Sequence, residues 1–324
     1  MNHFLHRAAL LLAAAIFTLP ALAENAAAPA KKTSGAKARD YVRYTGDNKR
    51  GKLETVVVTM KKGDVSVELI GAVHIADAAY YKALTQLFTG YEELLFELVD
   101  GQRMKEEMEG KRPIRKKGGA KPIHGEENIP AKEEDEDRSP AFKIISGLMH
   151  GLGSYFKFQY QTDGIDYHTR NFVHADVSMD EFVSLQAEKG ESFISLIEKA
   201  ITAQLEIGSH PEAEPKGSQL LLALLGDSSG IKVAMARQLA MADDLVDAME
   251  QGEGSVIISE RNKKALEIFD REVAAGRKNL GIFYGAAHLF DMEKRLEKKG
   301  YQRTGERWLT AWDIKPRVDE KPAQ

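Results

Sequence analysis

Two short runs, Gly71-Ala72-Val73-His74 and Gly285-Ala286-Ala287-His288, match each other near opposite ends of the chain. Each follows an apolar run and precedes an amphipathic stretch led by an aspartate, Asp77 or Asp291. The glycine is expected to permit a backbone geometry that a Cβ would hinder. The histidine three residues later falls at the carboxyl end of a predicted strand, the edge at which open α/β sheets bind ligands. A neutral imidazole there is a metal ligand or a general base. Read alone, the pair fits two satisfied turn histidines equally well. Glu97 tilts that balance, because it lies between Phe96 and Leu98 in an apolar strand. A buried carboxylate needs a cation, a metal or hydrogen-bond donors, or else it protonates. Two histidines and one carboxylate are also a ligand set for a hydrolytic metal site with an open position.

Glu260-Arg261-Asn262 follows the apolar Val256-Ile257-Ile258 and opens a helix. Arg261 suits a substrate carboxylate or a developing negative charge. Asn262 suits a hydrogen bond to a metal ligand or to a bound group. The plainer reading of this trio is a helix-start ion pair. His174-Ala175-Asp176, with Asp166 and His168 upstream, offers extra ligands or a base, but a structural role is the leading expectation; His124 and His150 have no partners in view. Ser178, Ser184 and Ser259 lack a Gly-x-Ser-x-Gly setting, which argues against a nucleophile elbow. No Walker pattern is present.

Taken together, Gly71-Ala72-Val73-His74, Glu97 within Leu94-Leu95-Phe96-Glu97-Leu98, Glu260-Arg261-Asn262 and Gly285-Ala286-Ala287-His288-Leu289 followed by Gly300-Tyr301 resemble the TraB/GumN/Tiki family. The resemblance spans roughly residues 50–314, with the middle matched only by helical character. It implies an α/β fold of the erythromycin-esterase/haem-binding-lipoprotein type. It also implies a metal-dependent, peptidase-like site with His74, Glu97 and His288 as ligands and Arg261 beside them. Ala72 departs from the pattern, since many relatives carry Ser or Thr there, and the charged stretch after Glu97 is unusually long.

The elements that must position these residues form an α/β pattern: a mixed central sheet with flanking helices and a largely helical middle. Thr55 to Met60 and Val65 to Val73 read as strands around the turn Lys61-Lys62-Gly63-Asp64. Asp77 is expected to cap a helix from Ala78 to Phe88. Leu94 to Val99 is a short apolar strand, so strand, helix and strand make a βαβ unit with a parallel sheet. Phe142–Phe158, Phe193–Ile207, Leu220–Leu225, Ile231–Met249 and Asn262–Ala275 are predicted helices. Asn279 to Tyr284 is a strand, Asp291 to Lys299 a helix stopped by Gly300, and Arg307 to Ile314 the closing strand.

Residues 1–23 have the layout of a secretory signal peptide: a short basic start, an apolar run from Ala8 to Pro20, and Ala21-Leu22-Ala23. Export to the periplasm or the medium is therefore expected, with no stable membrane span after cleavage. Residues 24–49 read as a flexible linker, 50–315 as the α/β domain and 316–324 as a polar tail. Residues 101–138 hold ten basic and ten acidic residues and three prolines, and read as a charged insertion. A net charge of −4 gives no footprint for nucleic acid. With no cysteine, a bound divalent metal must rest on His, Asp or Glu. The leading expectation is an exported metal-dependent hydrolase acting on a peptide or small-molecule substrate. The alternatives are non-catalytic binding of a peptide, haem or another small ligand, and a metal-free hydrolase with a histidine base.

Overall fold

Seven strands build one mixed sheet, and the strands of its parallel half lead into His74, Glu97 and His288. The computed structural model describes residues 39–98, 156–191, 228–241 and 255–316. The expected signal peptide at 1–23, the charged insertion at 101–138, the tail from 317, His124, His150 and most of the predicted middle helices lie outside the described residues.

In chain order the elements begin with β1 (Val42–Gly46), β2 (Gly51–Lys62), β3 (Val65–Ala72), β4 (Ile75–Ala76), α1 (Ala78–Phe88) and β5 (Glu93–Phe96). After the first gap come β6 (Gln159–Tyr160), α2 (Gln161–Gly164), β7 (Phe172–His174) and α3 (Met179–Glu188). Then follow α4 (Ser229–Ala240), a π-turn (Val256–Glu260), α5 (Arg261–Ala274), β8 (Asn279–Gly285), a 3-10 turn (Ala286–His288), α6 (Leu289–Lys298) and β9 (Gln302–Ile314). The sheet runs β1-β2-β3-β8-β5-β7, with β9 paired to β2. The β1, β2, β3 and β9 pairings are antiparallel. Those of β3 with β8, β8 with β5 and β5 with β7 are parallel. The predicted βαβ unit of β3, α1 and β5 is present, but β8 lies between its two strands.

Alternation along the strands supplies both faces of the sheet. Val57, Ile70, Phe283 and Phe96 pack with Tyr80, Tyr81, Leu84 and Phe88 of α1. Val56, Val58, Leu69, Ile282 and Leu95 pack with Leu266 and Phe269 of α5 and with Leu289, Met292 and Leu296 of α6. Helices therefore cover both faces, which is why β5 and β8 read as continuous apolar runs.

Several expectations need correction. The linker does not extend to residue 49. Val42–Gly46 is a strand paired with Gly51–Thr55, and Tyr41 is buried with its hydroxyl on Glu293 Oε2 at 2.7 Å. This stretch is too polar to read as a strand; pairing with β2 and packing against α4, where Arg237 lies over the Tyr44 ring, hold it. Asp77 stands at the cap position of α1 without capping it; its carboxylate instead accepts from Asp313 N at 2.7 Å. Asp291 sits inside the first turn of α6, which begins at Leu289. Gly300 does end that helix, in the left-handed conformation at φ 90°. Neither motif glycine needs a special backbone. Gly285 has φ −50°, and the reason for a glycine there is space.

Candidate functional site

The site forms along one edge of the parallel strands. β3 ends just before His74, β5 just before Glu97, β7 just before Asp176, and β8 at Gly285, one short turn before His288. These are all carboxyl ends, which is the ligand edge of an open α/β sheet. Arg261 and Asn262 come from the first turn of α5, packed against the same edge.

Gly285 marks the centre of the group. A Cβ placed there would lie 3.4 Å from Glu97 Oε2, 3.7 Å from His288 Cδ2 and 3.9 Å from His74 Nε2. The glycine thus leaves room between the two histidines and the carboxylate. Glu97 accepts from the Gly285 backbone N–H at 2.7 Å and from Arg261 Nη2 at 2.6 Å. His288 Nε2 lies 3.6 Å from Glu97 Oε1. Glu97 is 8 % exposed, Arg261 5 % and His288 4 %, so these charges interact with little screening.

Arg261 is shared between two carboxylates. Its Nε donates to Asp176 Oδ1 at 2.9 Å and its Nη2 to Asp176 Oδ2 at 2.6 Å, besides the bond to Glu97. Asp176 was expected to be merely structural; it is the forked partner that fixes the arginine beside Glu97. Its signal in the sequence is weak, because β7 has only three residues. His174, beside it, turns away, with Nε2 2.6 Å from Leu98 O. His168 lies 3.5 Å from Asp166 on an exposed turn.

Asn262 stands behind His288. Its Nδ2 donates to His288 O at 3.1 Å and to Asp291 Oδ2 at 2.8 Å. Both partners only accept, so the amide orientation is fixed and Oδ1 is the acceptor at 2.7 Å from His288 Nδ1. His288 Nδ1 therefore donates, and its Nε2 presents a lone pair toward Glu97. Asn262 is fully buried, so it orients His288 and does not face the crevice. Tyr284 packs edge-on against the His288 ring and donates to Ala175 O.

The electrostatics follow from burial and from this pairing. Burial pulls both histidines down from 6.5, His288 to about 4, with Arg261 adding to the effect and Glu97 opposing it. Both imidazoles are therefore neutral at pH 7. Burial would raise Glu97, but the adjacent Arg261 guanidinium, the two histidines and the Gly285 N–H outweigh it and hold the carboxyl well below its usual range. Burial, with the Asp176 and Glu97 carboxylates adding to it and Arg261 opposing, pushes the Tyr284 phenol upward, so it stays protonated.

Four residues singled out in the sequence, His74, Glu97, Arg261 and His288, thus meet at one place, with Asn262 directly behind. Three more share the site: Asp176, whose sequence signal is weak, and Gln161 and Tyr167, which have none. Gln161 and Tyr167 arrive through the two-residue pairing of β4 with β6, which no periodicity reveals.

The donor types suit a divalent cation: two neutral imidazoles and a carboxylate, with Glu97 and Asp176 outnumbering Arg261 in charge. Their spacing is less complete. Among the described residues no three His, Asp or Glu side chains form a ready metal cluster. Arg261 holds the Glu97 oxygen that also faces His288. No protein-family model, no curated protein and no solved structure matches this chain.

Proposed function

We propose that this protein is a hydrolase of the cell envelope, with His74, His288 and Glu97 as its water-activating centre and a peptide-like or other small substrate. The observation that carries the reading is the convergence of both histidines and Glu97 around Gly285, at the carboxyl edge of the sheet. The four-motif resemblance to the TraB/GumN/Tiki family supports it, as does the signal-peptide layout of residues 1–23. His74 and His288 would hold a divalent ion with Glu97 beside them. Such an ion, when bound, acts as a Lewis acid on water. The chain's own groups do the rest. Asn262 turns His288 Nε2 toward Glu97. Glu97 stays ionised at any physiological pH. Arg261, clamped by Asp176, keeps a fixed positive charge next to the place where negative charge would develop.

One observation favours a second form of the same reaction. The Arg261–Glu97 pair at 2.6 Å already gives the carboxylate a cation, which suits a metal-free site with a neutral histidine as general base. One experiment tests both. The purified chain is titrated with zinc, cobalt and manganese, then incubated with a peptide pool with and without chelator, and fragments are read by mass spectrometry. Chelator-sensitive cleavage together with stoichiometric metal lost in His74→Ala/His288→Ala supports the metal form. Chelator-insensitive cleavage lost in the same variant supports the histidine base. Undiminished cleavage in that variant overturns the site, and retention of peptides without fragments overturns hydrolysis.

A further inference from the structure

Two buried polar atoms have no hydrogen-bond partner among the described residues: His74 Nδ1 and Gln161 Oε1. One is a ring nitrogen able to donate, the other an amide oxygen able only to accept. Leaving both unsatisfied is costly. They belong to residues already joined, since Gln161 N donates to His74 O at 2.8 Å. Gln161 is 4 % exposed, and its Nε2 is anchored on Tyr167 Oη at 2.8 Å. That anchor turns Oε1 away from Tyr167.

The other histidine shows what such an arrangement does. Asn262 binds the carbonyl of His288 through one N–H and offers its amide oxygen to Nδ1 of the same residue. Gln161 binds the carbonyl of His74 through its backbone N–H, and its side-chain amide, anchored on Tyr167, carries a free oxygen. The two residues come from unrelated elements, α2 and α5, and each bonds the carbonyl of its histidine, Asn262 through its carboxamide and Gln161 through its backbone. On the far side of each ring, Nε2 is the nitrogen that turns to the crevice: His74 Nε2 toward Gly285, and His288 Nε2 toward Glu97.

We propose that Gln161 is a positioning residue for His74. Its Oε1 accepts from His74 Nδ1–H and holds the ring in the tautomer whose Nε2 lone pair faces the crevice. Carboxamides thus set both rings, Gln161 for His74 and Asn262 for His288. The bond itself does not depend on catalysis; its consequence for rate rests on the hydrolase reading above.

The test uses the full chain labelled with 15N-histidine, in long-range proton–nitrogen correlation spectra at pH 8 with chelator present. His74 is assigned by its loss in His74→Gln. The expected result is the Nδ1–H tautomer at His74 and at His288. In Gln161→Met, His74 moves toward the Nε2–H form while His288 keeps its own. Gln161→Glu, which retains an acceptor, restores Nδ1–H at His74. An Nε2–H pattern at His74 in the unaltered protein overturns the proposal, and this needs no variant to fold. An unchanged tautomer in a folded Gln161→Met protein overturns it equally. If the chain hydrolyses peptides, Gln161→Met should lower kcat by about 10–100-fold with KM little changed, as for groups that orient a working histidine. Absence of any hydrolysis would count against the hydrolase reading and leave the tautomer result to decide this one.

Discussion

At the scale of single residues, Arg261 is the hinge of the site. It is buried among Glu97 and Asp176 and bonded to both. Removing it would leave two like charges facing each other with little solvent. Breaking a buried ion pair from one side costs about 3–5 kcal/mol. Arg261→Met is therefore expected to lower stability by that order in urea unfolding, and Arg261→Met/Asp176→Asn should recover part of the loss. Equal losses in the single and double variants would show that Asp176 is not the charge being compensated. The plain reading of Arg261, a helix-start ion pair with Glu260 or another carboxylate, holds in its second form. Arg261 does form ion pairs, but with carboxylates from β5 and β7, while Glu260 turns to Lys263 and Lys189.

At the scale of elements, the strand-to-helix turns owe their glycines to space. A methyl group on Gly285 would make only ordinary contacts, the nearest at 3.4 Å. Gly285→Ala should therefore fold with a stability change of no more than about 1 kcal/mol, since the backbone there suits alanine. It should nonetheless lose most ligand binding or activity, because the new methyl sits amid His74, His288 and Glu97. Gly281 is the contrast. A Cβ there would lie 2.7 Å from Leu94 Cδ1 and 2.9 Å from Tyr91 Cδ2, inside the β8–β5 packing. Gly281→Ala is expected to cost about 1–3 kcal/mol through overpacking. Thermal melts and the cleavage assay, run on both variants, separate a crevice glycine from a core glycine. Comparable destabilisation in both would contradict the distinction.

At the scale of the whole molecule, the buried site makes folding depend on pH. His74 and His288 are neutral when folded and protonate near 6.5 when unfolded. The unfolded chain therefore binds more protons between about pH 6.5 and about pH 4. Stability that is full above 6.5 is lost as pH falls through that window. Glu97 is held low, so its contribution is present above its unfolded value of 4.5 and is lost below it. Acid should thus weaken the fold in two stages, histidines first and Glu97 second. Urea unfolding followed from pH 8 to pH 3, in chelator, should show a shallower first stage in His74→Gln/His288→Gln. An unchanged profile would mean that the histidines are not buried neutral.

How much of this was legible depends on range. The α/β class, the places of β3 and β8 to within a residue, the presence of β5 though not its end at Phe96, and the likeness of Gly71-to-His74 with Gly285-to-His288 follow from local pattern alone, because period and turn chemistry act within a few residues. Glu97 was legible for the same reason: a carboxylate in an apolar strand has to be answered by something. What answers it was not legible. The insertion of β8 between β3 and β5 brings Gly285 against Glu97 and His74, and no local signal encodes strand order. Asp176 and Gln161 reach the site from a three-residue strand and a four-residue helix, too short to show a period. The sequence by itself determined which residues had to be reconciled with burial. Only the tertiary structure decided their partners, because charge pairing and ring orientation depend on contacts between distant segments, such as Arg261 with Glu97, 164 residues apart.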